Sequence, residues 1–337
     1  MRSATCRSIP SVSYTHLKLI EKLKKNYTTL VFTEGADPRI LEAASRLKRE
    51  DILQPLLIGD VQEVRQAARA GGFDIADIRI VDPLHYRRMD ELVDKMVELR
   101  KGKLSPEECR GLLQKGNYFG TMLVKLGVAD CLLGGATYST ADTVRPALQL
   151  IRTKPGHRIV GSCFILTRGS GSSAELLAMG DCAINIKPDE DELAEIAVET
   201  AECAKLFGID PQVAFLSYST KGSGKGEDVD KMRRAAQTAK QARPDLMIEG
   251  ELQFDAAVSP EVAQTKCKGL PVAGHANTFI FPDINAGNIG YKIAQRLGGF
   301  EAYGPILLGL NAPINDLSRG CNAEEVYYMA IITAGLR

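Results

Sequence analysis

The sequence predicts an α/β protein in which mostly parallel sheets are covered by helices. Short runs rich in β-branched residues alternate with helical stretches along nearly the whole chain. The 337 residues exceed what a single hydrophobic core usually holds, and 45% hydrophobic with 25% charged residues is ordinary for a soluble globular protein. We therefore expect two α/β domains.

The first part of the chain predicts a β-α-β-α-β unit. Strands are expected at residues 28–35 (TTLVFTEG), 54–60 (QPLLIGD) and 78–83 (IRIVDP), with helices at 38–50 and 61–72 between them. This alternation is typical of a parallel sheet covered by helices.

The next segment continues the helical and strand pattern. Two helices are separated by a turn in which Ser105 and Glu108 have the spacing of a capping box. A buried strand is expected at 128–135 (VADCLLGG), followed by a helix at 141–153. The Lys-Pro-Gly bend at 154–156 indicates a domain boundary.

A second alternating set follows the bend. The expected strands are 157–167, 181–186, 212–220, 245–252, 271–283 and 301–310, and the expected helices are 189–208, 221–244 after its loop, and 287–299. The stretch GSGSSA (169–174) matches a dinucleotide fingerprint, but too few residues follow for a crossover helix, so we predict a β-hairpin. The last helix, from about Ala323, has no strand after it and is expected to pack on the first domain.

These boundaries divide the chain into three parts. Residues 1–16 form a leader, residues 17–155 with 310–337 form the first α/β domain, and residues 156–309 form the second. The leader has arginines and serines but no acid before Glu21, a composition shared by transit peptides and disordered segments. Its lack of amphipathic periodicity favours a disordered leader.

Charge and cysteine usage exclude several classes of protein. Lysine plus arginine and aspartate plus glutamate both total 42, so no net field favours nucleic acid or an anionic membrane. The eight cysteines include no C-x-x-C pair, which predicts neither a zinc site nor a disulfide framework and suits the reducing cytoplasm. No apolar run approaches the roughly 20 residues of a membrane helix.

Other catalytic motifs are poorly supported. The glycine-rich stretch TKGSGKG (220–226) fails the phosphate-loop pattern, leaving either an anion-binding loop or an ordinary solvated one. The chain has four histidines and no G-x-S-x-G motif, so serine hydrolase chemistry is unsupported. No group of residues has metal-ligand spacing, and no metal is expected.

Two stretches place hydroxyls beside an arginine at a predicted strand-to-helix junction. TYSTADTVRP (137–146) holds Ser139, Thr140 and Arg145; NDLSRGC (315–321) holds Asn315, Ser318 and Arg319. Guanidinium groups match phosphate oxygens, and hydroxyls add donors without charge, so the two stretches together could hold a phosphorylated ligand between the domains. Each alone could equally be a helix cap or a salt bridge.

Glu325 has two interpretations. Asn322 and Glu325 have the spacing of an N-cap and N3 pair, so the carboxylate could serve only to cap the last helix. It is also the acid nearest the Ser318-Arg319 pair, where a general base would be useful.

Several passages resemble the phosphate acetyltransferase family from about residue 20 to the end. They are STADTVRPALQ, DCAINIKPDEDELAEIA, SYSTKGSGKGEDVDK and VAGHANTFIFPDINAGNIGYKIAQRLGGFEAYGPILLGLNAPINDLSRGC. The resemblance implies a homodimeric acyltransferase of acetate metabolism that interconverts acetyl-CoA plus phosphate with acetyl phosphate plus CoA. It further implies no metal or organic cofactor, and two domains like those of isocitrate and isopropylmalate dehydrogenases, with the active site in the interdomain cleft.

The resemblance also implies roles for individual residues. Ser318 would hydrogen-bond the reacting acyl group, and Arg319 would hold the phosphoryl end. Arg100 and Arg145 match arginines tied to CoA or phosphate binding. We add Ser139, Thr140 and Asn315 as substrate-binding candidates from the same two stretches, and expect Cys321 to pack rather than act as a nucleophile, because direct transfer needs no acyl-enzyme.

Two departures and two alternatives stay open at this stage. The family has an aspartate at the position of Glu325 and a histidine at that of Tyr138. A phosphate butyryltransferase would share the fold and chemistry, differing in its acyl pocket. A non-catalytic domain that senses CoA or acyl phosphate is the alternative from another class.

Overall fold

The computed structural model describes residues 14–169 and 171–337. Residues 1–13, which make up most of the predicted leader, lie outside the described part. The described strands are β1 Thr29–Phe32, β2 Gln54–Ile58, β3 Arg79–Val81, β4 Cys131–Gly134, β5 Gly161–Arg168, β6 Glu175–Gly180, β7 Gln212–Leu216, β8 Met247–Leu252, β9 Thr278–Ile280, β10 Glu301–Leu308 and β11 Ile314–Asp316.

Helices follow most of the strands. They are α1 Tyr14–Lys24, α2 Pro38–Arg49, α3 Val61–Gly71, α4 Met89–Leu99, α5 Pro106–Leu113, α6 Gly116–Lys125, α7 Thr140–Pro146, α8 Glu190–Leu206, α9 Glu227–Ala242, α10 Phe254–Val258, α11 Pro260–Lys266, α12 Ile284–Arg296 and α13 Ala323–Gly335. The capping box predicted from Ser105 and Glu108 is confirmed at the start of α5. No helix in the described ranges is long and apolar enough to cross a membrane.

The first sheet has five parallel strands in the order β11-β4-β1-β2-β3. The predicted β-α-β-α-β unit is therefore confirmed. Strand β11 was not predicted, because its three residues follow Pro313 in a stretch whose sequence is typical of a loop. Pairing with β4, with Ile314 opposite Leu132, places β11 at the edge of this sheet.

The second sheet has six strands in the order β10-β5-β6-β9-β7-β8. Strand β5 is antiparallel to β10 and β6, and the remaining pairs are parallel. The β-hairpin predicted at GSGSSA is confirmed, with Arg168 opposite Glu175 at its closed end.

The strand predicted at 181–186 is wrong, because the strand in this region ends before residue 181. The strand is β6, residues 175–180, and the backbone turns after it. The carboxylate of Asp181 accepts hydrogen bonds from the amides of Ala183, Ile184 and Asn185, which satisfies these groups outside a sheet.

The last helix packs on the first sheet, as the sequence predicted. Helix α13 contacts α2, β1 and β4, and every residue from Val326 to Gly335 is buried. An apolar helix that is buried on all sides packs inside the fold rather than along its surface. The segment that contains β11 and the start of α13 is therefore held firmly beside β4.

Candidate active site

The carboxyl ends of three adjacent strands define the site. Glu34 follows β1, Tyr138 follows β4, and Ser318 follows β11. Because the three strands are parallel neighbours in the order β11-β4-β1, these segments meet at one edge of the sheet. In open α/β sheets this is the edge at which ligands bind.

Two hollows open at this edge. Hollow A has a volume of about 480 Å³, and its lining residues are Tyr138, Ser139, Thr140, Ala141, Phe164, Ala183, Asn288, Tyr291, Pro305, Asp316, Leu317, Ser318 and Arg319. Hollow B has a volume of about 360 Å³, and its lining residues are Phe164, Tyr291, Lys292, Gln295, Arg296, Ala302, Tyr303, Gly304, Pro305, Leu317, Ser318, Gly320, Cys321, Glu325 and Met329. Both combine segments that accompany the first sheet with segments of the second.

Ser318 lies on the wall that the two hollows share. The other shared residues are Phe164, Tyr291, Pro305 and Leu317, and the rings of Phe164 and Tyr291 stack with centroids 4.0 Å apart. Arg319 lines hollow A, whereas Glu325 lines hollow B. The three residues predicted to be catalytic are thus brought together around one wall.

The side chains of Ser318 and Arg319 are available to a ligand. Both residues are exposed, and the Ser318 hydroxyl accepts a 3.3 Å hydrogen bond from the Gly320 amide. That bond leaves the hydroxyl proton of Ser318 free to be donated. Within the described chain, no hydrogen bond or ion pair engages the guanidinium of Arg319.

Arg39 fixes the loop that carries this pair. Its Nη1 donates to the carbonyl oxygens of Arg319, at 2.9 Å, and Cys321, at 3.1 Å, while Nη2 donates to the Ala136 carbonyl at 2.9 Å. The Asp37 carboxylate orients the guanidinium through a salt bridge of 2.7 Å. The sequence analysis did not select Arg39 as a site residue, because nothing in the pattern of the predicted helix 38–50 distinguishes it.

Asp316 is the second residue that the predictions did not assign. Its side chain is buried, and its oxygens accept hydrogen bonds from Thr140 Oγ1 at 2.6 Å and Thr143 Oγ1 at 2.5 Å. Burial raises the pKa of Asp316 to about 6, against the lowering effect of the two threonine hydroxyls. The NDLSRGC motif contained the residue, but only the structure shows it beneath hollow A.

A second acid, partly buried, lies close to Asp316. Glu34 accepts hydrogen bonds from the amides of Gly135 and Thr137, at 3.2 and 3.0 Å, and burial raises the pKa of its carboxyl group. The hydroxyls of Tyr138 and Thr33 are 2.7 Å apart and extend this network of hydrogen bonds. Tyr138, which replaces the histidine of the family pattern, therefore has a place in the network.

Glu325 performs the capping role and also faces hollow B. Its Oε2 accepts a 3.2 Å hydrogen bond from the Asn322 amide, and Asn322 Oδ1 accepts one of 2.9 Å from the Glu325 amide. The capping box predicted from their spacing is confirmed. In the described chain Oε1 has no recorded partner, so the cap does not use up the carboxylate.

Hollow B also contains two cations that sequence reasoning did not select. Lys292 and Arg296 lie four residues apart on α12, so both project from one face of this helix. The feature that could have identified them in the sequence is a pair of basic residues four positions apart on a helix that follows a buried strand.

The remaining site candidates divide into two groups. Ser139 and Thr140 line hollow A, where the Ser139 hydroxyl donates to Asp142 at 2.7 Å. Arg145 is exposed further along α7 and does not line hollow A, so Arg145 and Arg319 do not share this hollow. Arg145 and Arg100 both lie near Tyr118, where each lowers the pKa of its hydroxyl against the larger raising effect of burial.

Asn315 has a structural position. It is fully buried, its Oδ1 accepts from the Leu307 amide at 2.8 Å, and its Nδ2 donates to Thr333 Oγ1 at 2.9 Å. Both polar groups of the side chain are thus used between β10, β11 and α13. We therefore leave Asn315 out of the proposed substrate contacts.

Cys321 and the 220–226 loop have no features of reactive groups. Cys321 is buried, and desolvation raises the pKa of its thiol to about 11, which keeps it protonated. Ser219 Oγ, directly before this loop, donates to Glu251 at 3.1 Å, and Thr220 Oγ1 within it donates to Gln253 at 3.2 Å, so these hydroxyls serve local packing.

The fold and site define a class: α/β proteins with an arginine, a hydroxyl and a carboxylate arranged around adjoining hollows. The family model described as Phosphate acetyl/butaryl transferase matches residues 15–334, and the chain belongs to this family. It is 52% identical to the phosphate acetyltransferase of Bacillus subtilis (strain 168) over 314 residues, covering 93% of this chain and 96% of that protein.

Solved structures agree with this assignment. A phosphotransacetylase from Streptococcus pyogenes superposes with a TM-score of 0.92 at 52% identity, covering 96% of this chain and 97% of that one. A phosphotransacetylase from Staphylococcus aureus gives a TM-score of 0.89 at 48% identity, covering 96% and 98%.

Proposed function

We propose that the chain is a phosphate acetyltransferase, which interconverts acetyl-CoA plus phosphate with acetyl phosphate plus CoA. The observation that carries this proposal is the position of Ser318 on the wall between two hollows, one with Arg319 and the other with Glu325. Two substrates can then approach one hydroxyl from opposite sides. Relatives of about half identity are phosphate acetyltransferases, which favours acetyl transfer over butyryl transfer or a non-catalytic sensing role.

In the proposed reaction, acetyl phosphate occupies hollow A and the CoA thiol enters hollow B. Glu325 accepts the thiol proton, the thiolate sulfur bonds to the acetyl carbon, and the bond from this carbon to the phosphate oxygen breaks. Free thiols have a pKa of about 8.5, so a nearby base raises the thiolate fraction at neutral pH. Inorganic phosphate leaves, and the reverse reaction begins with its attack on the thioester.

Ser318 and Arg319 stabilise the charge that develops during transfer. The free hydroxyl proton of Ser318 is donated to the acetyl oxygen, and Arg319 binds the phosphoryl oxygens. The hydroxyls of Ser139 and Thr140 also line hollow A, where they donate to Asp142 and Asp316. The acetyl group passes directly from one substrate to the other, without a covalent acyl-enzyme or a cofactor. Holding both substrates around Ser318 therefore supplies much of the rate enhancement.

The arginines outside hollow A suit a more distant part of CoA. We assign Arg100 and Arg145 to a CoA phosphate remote from the thiol, because both lie near Tyr118 rather than at the shared wall. Among the described residues the buried Nε of Arg100 has no hydrogen-bond partner, so the group retains capacity for an anion. Lys292 and Arg296 add positive charge beside hollow B, which suits an anionic substrate.

The arrangement of domains is also part of the proposal. Residues 17–155 with 310–337 would form the first domain and residues 156–309 the second, as in isocitrate and isopropylmalate dehydrogenases. Hollows A and B would then lie in the interdomain cleft. Support comes from their linings, which combine Ser318 and Ser139 with Phe164 and Tyr291.

We further propose a homodimer that covers an apolar face of α12. Ile289 and Ile293 of α12, and Leu297 directly after it, recur every four residues and are 58, 54 and 85% exposed. Apolar side chains aligned in this way are typical of a contact surface. Light scattering of the wild type and of Ile293→Glu tests this directly: a dimer that becomes monomeric supports the proposal, and a monomeric wild type refutes it.

The enzymatic proposal is tested by following the release of CoA from acetyl-CoA with a thiol reagent. Release should require inorganic phosphate and should slow from acetyl- to propionyl- and butyryl-CoA. Binding of CoA without phosphate-dependent release would instead support the sensing domain, and fastest release from butyryl-CoA would support the butyryltransferase.

A further inference from the structure

Asp316 joins the two sides of hollow A. It ends β11, two residues before Ser318, while its hydrogen-bond donors Thr140 and Thr143 belong to α7 on the other side. One oxygen of the carboxylate serves each threonine. A single buried side chain therefore sets the distance between the loop that carries Ser318 and the first turn of α7.

The surroundings leave this carboxylate little freedom. A Cβ at Gly135, where φ is +102°, would lie 2.2 Å from Asp316 Oδ1, so the loop after β4 packs directly on the carboxylate. The Leu317 amide donates to the Gly134 carbonyl at 2.7 Å and ties the next residue to the same loop. In the described chain no salt bridge reaches Asp316, so hydroxyls alone stabilise its charge.

The titratable groups that face Asp316 are Glu34, from the segment after β1, and Tyr138, from the segment before α7. The negative charge of Glu34 adds to burial in raising the pKa of Asp316, whose value of about 6 lies close to neutrality. The ionised form can accept from both threonines. In the protonated form one oxygen carries the proton, so one of the two threonine hydroxyls has to reverse its role and accept instead of donating.

We propose that Asp316 is a positioning residue for acyl transfer, which holds Ser139 and Thr140 at the correct distance from Ser318 and Arg319 through its hydrogen bonds to Thr140 and Thr143. This inference rests on the proposed phosphate acetyltransferase function. It assigns Asp316 no contact with the reacting atoms, and it gives the hydrogen bond from Thr140 to Asp316 a role in the shape of hollow A.

The consequence is a specific pattern of kinetic change. In Asp316→Asn, the amide accepts at one atom only and donates at the other, so one threonine hydroxyl has to turn round and both bonds lose their charge; the spacing across hollow A is then less firmly fixed. Small displacements of reacting groups reduce rates by up to about 100-fold. We expect kcat to fall by about tenfold or more, and kcat/KM for acetyl phosphate to fall further than kcat/KM for CoA, because Arg319 and Ser139 lie in hollow A.

The experiment compares Asp316→Asn with Thr143→Val, Thr143→Ser and a matched control. Asp130→Asn changes another aspartate of the first sheet, which accepts from the Thr29 amide at 2.8 Å at the opposite strand ends. Steady-state kinetics in both directions from pH 5 to 8.5, with thermal unfolding of each variant, provide the readout. The kcat of the wild type should decrease as the pH falls through about 6 (its acid limb), whereas that of Asp316→Asn should not. Thr143→Ser should retain activity that Thr143→Val loses.

The outcomes separate the two proposals. A wild type without phosphate-dependent CoA release overturns the proposed function itself. An active wild type whose Asp316→Asn variant keeps its kcat and acid limb overturns the positioning role. The same holds if Thr143→Ser and Thr143→Val are equally impaired, or if Asp316→Asn loses activity only in proportion to lost folding, as Asp130→Asn would.

Discussion

Arg39 donates a hydrogen bond of 2.9 Å to the carbonyl oxygen of Arg319, joining two residues that lie 280 positions apart in the chain. The same guanidinium holds the Cys321 and Ala136 carbonyls, so one side chain anchors both loops at the strand ends. The loop that carries Ser318 and Arg319 is thus held by its backbone, which leaves both side chains free for ligands.

Replacing Arg39 with alanine should therefore reduce turnover without abolishing the fold. We expect kcat to fall by about 10- to 100-fold, because the Ser318 loop loses its fixed position. Arg39→Lys should recover little of the lost activity, since an ammonium group cannot reproduce the planar arrangement of guanidinium donors. Steady-state kinetics test this against Arg158→Ala, which removes an exposed arginine paired with Asp191; equal activity of the two alanine variants would contradict the anchoring role.

Arg319→Ala should abolish most of the activity while leaving stability close to that of the wild type. Its guanidinium is exposed in hollow A, so its loss removes the proposed donor to the phosphoryl group but no core contact. Losing such a donor typically costs about 100-fold or more in kcat. Kinetics with acetyl phosphate, with thermal unfolding as the control, measure this; a variant of near-normal activity would show that the arginine is only structural.

Glu325→Gln separates the cap from the proposed base. Glutamine can still accept from the Asn322 amide, so stability should change by about 0.5 kcal/mol or less, whereas proton acceptance is lost. We expect kcat to fall by about 100-fold. Glu325→Asp, which has the residue of the family pattern, should retain much of the activity. If Gln loses stability but not turnover, the carboxylate is a cap alone.

The stability of the protein should depend on pH through Asp316. Burial raises its pKa from the usual 3.8 to about 6, so the folded state binds a proton more tightly than the unfolded state. The contribution of this group to stability is full below pH 4 and is lost as the pH rises through about 6. Urea unfolding of the wild type should therefore lose stability relative to Asp316→Asn over this window, by on the order of 2 to 3 kcal/mol. A difference that is constant with pH would show that the carboxyl group is not perturbed.

Cys321→Ala should retain activity within a few-fold of the wild type. Arg39 binds the carbonyl oxygen of Cys321 at 3.1 Å, and this contact survives the substitution. The native thiol, with its pKa raised to about 11 by burial, should resist alkylation at pH 8 in the folded protein. Rapid inactivation by iodoacetamide, traced to Cys321 by mass spectrometry, would contradict this account.

The regular elements followed from periodicity, because apolar residues recur at the spacing that each element imposes. The β-α-β-α-β unit, the hairpin at 169–174 and the capping boxes at Ser105 and Asn322 depend on local chemistry, and all are confirmed. Strand β11 was missed because three residues after a proline have no periodicity of their own. The strand placed at 181–186 was wrong because Asp181 satisfies the following amides locally.

The sequence by itself determined the α/β class and the stretch that carries Ser318, Arg319 and Glu325, since these depend on neighbours within a few positions. Tertiary structure alone decided that Asp316 is buried beneath hollow A, that Asn315 is internal, and that Arg145 lies outside the hollow. The physical reason is the pairing of β11 with β4, a contact between segments about 180 residues apart. That pairing fixes which side chains at the strand ends face one another, and no local pattern encodes it.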